Sequence, residues 1–202
     1  MSCIARLALV LCLAAPLPSW AQASALPSAS RDVSQDIPAA LMGLPYSVGS
    51  IAFLIVGARK CGSDKEAQWR GVIDAIDRRF RHCASMEPRW QADVSRQFAK
   101  EEQQARAAGT STGLGSLALA YLWSSAVRQF EEKGASACAF VGPLLDPTSD
   151  EARAAYLRSV PQATPESLNS ALSRTRELLV LSYNTAWVEA PCNTFWPNSD
   201  GK

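Results

Sequence analysis

Histidine is almost absent from this chain, since His82 is the only one among 202 residues. A Ser-His-Asp or Cys-His catalytic arrangement would depend on that single imidazole, which follows Arg78, Arg79 and Arg81. A lone histidine without a paired carboxylate carries no signature of acid-base catalysis. We therefore expect His82 to be an ordinary residue at a helix end, and no catalytic residue is predicted.

An excess of either charge is also lacking, because 20 basic side chains stand against 19 acidic ones, for a net charge of +1. Nonspecific binding of nucleic acid depends on surplus lysine and arginine, so nucleic acid is not an expected partner. The sequence has no Walker loop, no dinucleotide-binding fingerprint and no His-Glu-x-x-His motif. The glycines of residues 109–115 lack the preceding strand and the lysine of a phosphate loop, so no cofactor is expected.

Metal-binding patterns are missing as well. A zinc site of cysteine and histidine would have to combine His82 with two or three reduced cysteines, and no metal site is expected. An enzyme with an unrecognised acidic cleft is one alternative, and it would have to gather Asp74, Asp77, Glu101 or His82. Acidic residues that alternate with lysine and arginine at helical spacing more often form a solvated face.

No apolar run reaches the length of about 20 residues that a membrane-spanning helix needs. The run from Leu7 to Ala15 has the length of a signal-peptide core, and Arg6 precedes it. Cleavage by signal peptidase after Ala21 or Ala23 would have small residues at the two positions that the enzyme reads. We expect residues 1–23 to be a signal peptide and the product to be periplasmic or secreted, without a stable membrane span.

Four cysteines remain outside that signal peptide: Cys61, Cys83, Cys138 and Cys192. An even number in an exported protein predicts disulfides. If a helix that ends at Cys61 and a helix over residues 65–84 form an antiparallel hairpin, Cys61 and Cys83 are about 27 Å apart, too far for a bridge. An up-down topology then predicts that Cys83 pairs with Cys138 and that Cys61 pairs with Cys192.

Apolar residues recur at three- or four-residue spacing along most of the chain, and no stretch shows the alternation of a strand. The pattern predicts an all-α, single-domain bundle of about five or six helices over residues 41–202, cross-linked by two disulfides. Residues 24–40, rich in Ser, Pro and Ala, are predicted to be a flexible leader. The predicted helices run from Val48 to Ala58, over 65–84, from Trp90 to Gly109, from Leu117 to Glu132, from the Thr148 capping box to Val160, and from Thr164 to Ala190.

Three local predictions accompany these helices. On the second helix an apolar stripe that includes Trp69 and Phe80 is expected to be buried. The residues expected to face water there are Arg70, Asp74, Asp77, Arg78 and Arg81. The third helix has one narrow apolar edge and is placed on the outside, and residues 135–147, with two prolines, are predicted to be irregular.

Two apolar features allow more than one interpretation. The run from Val48 to Ala58 is apolar on every side, which is typical of a central core helix, but it also suits the lining of an apolar pocket or a lipid contact. Trp69, Trp90, Trp123 and Trp187 lie on apolar stripes and are expected in the core. Trp196 lies in a polar tail and is expected to anchor either the C-terminus or a partner.

Residues 45–105 resemble a family of small, uncharacterised, secreted helical proteins of bacteria. The resemblance consists of an apolar helix that ends in Cys61-Gly62, seven residues between Cys61 and Trp69-Arg70, and a following amphipathic helix with Phe98. This chain departs from that pattern in having Cys83 and a longer C-terminal half. The resemblance implies a helical fold and export but no activity, and it carries no site residue to this chain.

The lack of a catalytic constellation favours a non-catalytic periplasmic module that binds another protein or an envelope component. A carrier of an apolar ligand, or a membrane-surface protein, is a second possibility. A pocket against Ile51, Phe53, Leu54 and Ile55 would be the sign of a carrier. The sequence predicts no oligomeric state.

Overall fold

The structure is a computed structural model that describes residues 39–110 and 113–197. In these two ranges there are nine α-helices and no strand, which confirms the all-α fold class. The helices are α1 (Leu44–Lys60), α2 (Glu66–Met86), α3 (Pro88–Gln97), α4 (Ala99–Ala107), α5 (Leu114–Glu132), α6 (Ala137–Leu145), α7 (Asp150–Ser159), α8 (Pro165–Val180) and α9 (Thr185–Glu189). The predicted signal peptide, and the predicted leader up to residue 38, lie outside the described residues.

Within the two described ranges, none of the helices combines the length and the apolar character that crossing a membrane would need.

Helix α1 forms the centre of the bundle. Its residues 51–58 are all buried, because α2, α5 and α6 pack around it. A helix with neighbours on several sides needs no polar face, which explains why this segment is apolar all round. Gly57 allows α6 to approach closely, since a Cβ at that position would lie 3.0 Å from a methyl carbon of Val141.

Helix α5 runs antiparallel to α2 and parallel to α1. Its first turn lies against the C-terminal half of α2, where Ser116 donates to the carboxylate of Asp77. Its last turn lies beside the end of α1, where Lys60 Nζ is 3.9 Å from Glu131 Oε1. The ends of α1 and α5 and the start of α6 therefore share one end of the bundle.

The disulfides join Cys61 to Cys138 and Cys83 to Cys192. The prediction of two bridges among these four residues is confirmed, and so is the exclusion of a Cys61–Cys83 pair. The predicted pairs, Cys83 with Cys138 and Cys61 with Cys192, are wrong.

The pairing was mispredicted because the segment 88–107 does not cross the bundle as one helix. It breaks at Phe98, which is 3% exposed and separates α3 from α4. The chain then returns to α2 near Asp77, so the direction of α5 is the reverse of the predicted one. Cys138 consequently arrives at the end of the bundle where α1 stops.

Residues 135–147 are not irregular, since they contain α6. The run from Ala137 to Leu145 is almost wholly apolar and packs against α1 and α7. Pro143 lies near the end of this helix, so it removes only one late hydrogen bond. Burial of the apolar side chains outweighs that loss. A helix therefore forms in a segment that its two prolines had led us to predict as irregular.

The two C-terminal predictions also need correction. Helix α7 is capped by Ser149, whose Oγ accepts from the Ala152 N–H at 3.1 Å, and not by Thr148. The predicted long helix from Thr164 to Ala190 is divided into α8 and α9. Asn184 begins α9 by accepting the Trp187 N–H at 3.0 Å, a side-chain cap that competes with continuation of the helix.

Asp77 is predicted to face water, and this is wrong, because the residue is only 4% exposed. Its carboxylate accepts from the N–H groups of Gly115 and Ser116 and from Ser116 Oγ, the last at 2.6 Å. These N–H groups are unpaired donors of the first turn of α5, so Asp77 caps α5 from a neighbouring helix. Burial raises the pKa of Asp77, while the bonds from Ser116 and Gly115 and the charge of Arg81 oppose that rise.

Gly113 has no room for a side chain, because a Cβ there would overlap the carboxyl group of Asp77. We expect Gly113→Ala to lower the free energy of unfolding by about 2–3 kcal/mol through overpacking and a displaced cap. The matched control is Gly71→Ala in α2, where the nearest atom, Ser182 Cβ, lies 4.0 Å away. That change should stabilise by up to about 1 kcal/mol, since alanine favours a helix over glycine. Urea unfolding checks both, and equal effects would contradict the cap.

A buried arginine fixes residues 188–196, here called the C-terminal segment. Arg79 on α2 is 1% exposed, and burial lowers the pKa of its guanidinium. All five of its N–H donors reach backbone carbonyls of this segment. The acceptors are the carbonyl oxygens of Val188, Ala190, Pro191, Thr194 and Phe195.

Tryptophans complete this anchor. Trp187 Nε1 donates to the Phe195 carbonyl at 3.0 Å. Trp196 stacks on Trp187 with a centroid separation of 6.1 Å, and its Nε1 donates to the Met42 carbonyl at 3.0 Å. Of the two expectations for Trp196, the structure shows the anchoring of the C-terminus.

Candidate functional site

The side chains considered for an acidic cleft lie in separate places. Asp77 caps α5, and Asp74 is exposed in a groove that Arg70 also lines. Glu101 lines another groove, between α4 and α5, and His82 is a partly exposed residue near the end of α2. No group of three or more His, Cys, Asp and Glu that could hold a metal occurs within the described residues.

Two arginines, Arg59 and Arg70, line the groove beside Asp74, but they already have a partner. Arg59 Nε and Arg70 Nε lie 2.7 Å and 2.8 Å from the carboxylate oxygens of Glu66. The hydrogen bonds from Arg59 and Arg70 lower the pKa of Glu66 to about 2. Arg59 also lies over the ring of Trp123, at 5.2 Å from its centroid. These contacts give both arginines partners within the protein, so their presence does not require a ligand.

A third groove, here called the α1/α8 groove, lies among α1, α5, α6 and α8 and has a volume of about 570 Å³. Most of its surface is apolar. Its lining residues are Pro45, Tyr46, Gly49, Ser50, Phe53, Leu54, Leu122, Gln129, Lys133, Phe140, Leu144, Ala171, Arg174, Thr175 and Leu178. The volume falls within the range of about 300–1,000 Å³ that is typical of small-molecule sites.

Small side chains at helical spacing create this groove. Gly49 and Ser50 on α1 and Ala171 and Thr175 on α8 line it, so neither helix fills the space between them. A Cβ built on Gly49 would have only Leu122 Cδ1 nearby, at 3.9 Å. The groove is therefore a consequence of residue size at these positions.

Aromatic rings form the base of the groove. Phe53 lies at 5.8 Å from Phe140 and at 5.9 Å from Phe130, measured between ring centroids. Phe140 in turn lies 5.6 Å from Tyr156. Tilted and edge-on arrangements are favoured for aromatic pairs, so these contacts help to hold Phe53 and Phe140 in the apolar lining.

Two cations lie on the rim. Lys133, just after α5, has its Nζ at 3.9 Å from the centroid of the Phe140 ring. Arg174 on α8 has its Cζ at 4.2 Å from the centroid of the Tyr46 ring. Each cation is thus held against an aromatic face that also lines the groove.

The apolar run from Val48 to Ala58 fits both of its sequence interpretations. Ile51 and Ile55 are fully buried in the core. Phe53 and Leu54 are also buried but line the α1/α8 groove. A carrier was expected to have a pocket against Ile51, Phe53, Leu54 and Ile55. Two of these four residues, Phe53 and Leu54, line the groove.

Sequence reasoning missed the residues that α8 and the α5–α6 junction contribute. On α8 the lining residues Ala171, Arg174, Thr175 and Leu178 follow the i, i+3, i+4, i+7 spacing of one helix face. That face mixes small, basic and apolar side chains, and this mixture was the available signal. Lys133 carries no comparable signal, because only the tertiary fold brings it to Phe140.

Comparison of the chain with protein-family models, with curated proteins and with solved structures finds no match. The resemblance of residues 45–105 to a family of secreted helical proteins therefore stays a prediction.

Proposed function

We propose that this chain is an exported, non-catalytic binding protein that carries an apolar ligand in the α1/α8 groove. The observation that carries the proposal is the groove itself, about 570 Å³ in volume, with an aromatic floor of Phe53 and Phe140. An open apolar surface favours ligand binding, because covering it removes apolar area from water.

The character of the lining supports binding over catalysis. Among the described residues that line the groove there is no His, Cys, Asp or Glu, so the lining lacks the imidazole, carboxylate and thiol groups that most often act in acid-base and nucleophilic catalysis. Its hydroxyl groups, on Tyr46, Ser50 and Thr175, have no imidazole or carboxylate beside them in this lining. Ser50 and Thr175 donate instead to backbone carbonyls of their own helices.

Export to the periplasm is part of the proposal. The four cysteines outside the predicted signal peptide form two disulfides. Disulfides of this kind persist in oxidising compartments and are rare in the cytosol. The apolar run near the N-terminus, followed by small residues, supports the same location. Binding of another protein or envelope component, the first expectation from the sequence, stays a prediction.

The test is binding of N-phenylnaphthylamine, a neutral apolar probe whose fluorescence rises in apolar surroundings. We expect saturable binding to the full chain. Gly49→Leu and Ala171→Leu place extra side-chain volume in the groove from opposite walls and should each weaken binding at least about tenfold, or about 1.4 kcal/mol. Leucine has a higher helix propensity than glycine, so Gly49→Leu should not weaken α1 and the protein should still fold.

The matched control is Ala120→Leu, a change of the same size on α5 in an exposed position outside the α1/α8 groove. This variant should bind the probe like the unmodified chain. Absence of probe binding to the unmodified chain, or binding that survives both groove-filling changes, would overturn the proposed function.

A further inference from the structure

The charged residues that line the α1/α8 groove are all of one sign. They are Lys133 and Arg174, and no acidic residue lies among the lining residues that the structure describes. The chain as a whole has a net charge of only +1, so the positive charge of the groove lining is a local feature. A ligand in the groove meets only positive charge among its lining residues.

Lys133 has no anionic partner in the described part of the chain, where no carboxylate oxygen lies within 4.0 Å of its ammonium group. The two glutamates that precede it pair elsewhere, with Lys60 and with Arg128. Its Nζ lies over Phe140 and, at 6.0 Å, near the ring of Phe53. An aromatic face attracts a cation but does not cancel its charge.

Arg174 is in the same situation, because no carboxylate oxygen of residues 39–110 or 113–197 lies within 4.0 Å of its guanidinium. It stacks on Tyr46, which is 61% exposed, so this stack lies at the mouth of the groove. Arg59 and Arg70, by contrast, share the carboxylate of Glu66. The guanidinium at the groove mouth therefore keeps its donors for a ligand.

These observations select the head group of the ligand. An oxyanion can accept charge-assisted hydrogen bonds from an ammonium or from a guanidinium, and the guanidinium fork matches two oxygens. Apolar walls next to the cations reduce the local dielectric constant, which strengthens attraction to an anion and repulsion of a cation. A neutral head group would gain only weaker hydrogen bonds.

We propose that the α1/α8 groove selects single-chain amphiphiles with an oxyanion head group, a carboxylate or a phosphate ester. The apolar chain would lie against Phe53, Leu144 and Leu178, and the head group would lie at the rim, where the charges of Lys133 and Arg174 attract it. This inference rests on the proposed function, because it names the class of ligand for the same groove.

The test compares three amphiphiles of equal chain length, kept below the concentrations at which they form micelles. Dodecanoate, dodecanol and dodecylammonium each compete with N-phenylnaphthylamine for the full chain. We expect dodecanoate to displace the probe at a concentration about tenfold lower than dodecanol, and dodecylammonium to be the weakest. Dodecyl phosphate should behave like dodecanoate. Added salt should reduce the preference, since ions screen attraction at an exposed rim.

Variants assign the preference to the two cations. Lys133→Met and Arg174→Met keep an apolar stem but remove the charge, and each should reduce the preference for dodecanoate about threefold; the double variant should abolish it. Lys133→Arg should retain the preference. Arg128→Met, which removes a cation of α5 that does not line the groove, is the matched control and should leave it unchanged.

The two proposals fail in different ways. If the unmodified chain binds the probe but dodecanoate and dodecanol displace it equally, the selectivity is wrong and the groove still binds apolar ligands. If the variant with both Lys133→Met and Arg174→Met still prefers dodecanoate over dodecanol, the proposed role of Lys133 and Arg174 is likewise overturned. If the unmodified chain does not bind the probe, the proposed function is overturned, and the selectivity that rests on it falls as well.

Discussion

Replacement of Arg79 by methionine is expected to lower the free energy of unfolding by about 3–5 kcal/mol. Arg79 donates to five backbone carbonyls of the C-terminal segment, with no carboxylate among its acceptors. Bonds to a charged donor contribute about 1.5–3 kcal/mol each, but the sum overstates the loss. Pro191 and Thr194 are exposed and can regain bonds to water once the guanidinium is gone.

Two further variants separate this anchor from a general loss of charge. Arg79→Lys offers at most three donors without the planar fork, so it should fall between arginine and methionine. Arg78→Met is the matched control, because Arg78 is exposed and makes only one long bond, at 3.5 Å, to the Ser182 carbonyl. Its cost should stay below about 1 kcal/mol. Urea unfolding measures all three, and equal losses for Arg78→Met and Arg79→Met would contradict the buried anchor.

The burial of Arg79 and Asp77 was readable in part from the sequence of α2. Val72, Ile76, Arg79 and Cys83 follow one another at spacings of four, three and four, so Arg79 falls on the buried stripe. Asp77 lies one position beyond Ile76, at the edge of the same stripe. Asp77 was predicted to face water because its side chain is acidic. Its position at the edge of the buried stripe instead indicated a partner inside the protein. What the sequence could not supply was the partner, since the first turn of α5 lies 38 residues away.

The helices themselves were predicted well where an apolar stripe is long, as on α2 and α5. The predictions failed where one buried residue or one short cap decides the path. Phe98 breaks a periodic segment into α3 and α4, and Asn184 separates α8 from α9. Each break reverses or turns the chain, so errors in direction accumulate along it. The disulfide pairing was wrong for this reason, although the cysteines and the number of bridges were right.

The α1/α8 groove was predictable only on its α1 side. The apolar run of α1 indicated Phe53 and Leu54 as candidates for lining a pocket. A helix that is apolar all round has more apolar surface than a single neighbouring helix can cover. Its opposite wall depends on where α6 and α8 pack. Lys133 and Arg174 are 41 positions apart in the sequence and approach the groove from different elements. Their shared sign of charge becomes meaningful only when the fold places both on one rim.

Removal of the Cys83–Cys192 bridge by paired alanine substitutions is the second change for which we expect a large effect, about 3–5 kcal/mol. The bridge closes a loop of 109 residues, and the Cys61–Cys138 bridge closes one of 77 residues. In the chain-entropy model these two loops differ by only about 0.3 kcal/mol. Any larger difference between the two paired variants must therefore come from the folded structure.

The folded structure predicts such a difference, because Cys83 is fully buried beside the residues that hold the C-terminal segment, whereas Cys138 is exposed. Loss of Cys83–Cys192 should raise amide hydrogen exchange over the C-terminal segment, and loss of Cys61–Cys138 should leave that exchange unchanged. Combining the first change with Arg79→Met should release the segment, since the bridge and the guanidinium hold the same residues. In the bridged protein the tether at Cys192 limits the effect of Arg79→Met. If the losses in free energy of unfolding are strictly additive, and amide exchange of the C-terminal segment is unaltered in either variant, the bridge and Arg79 act independently.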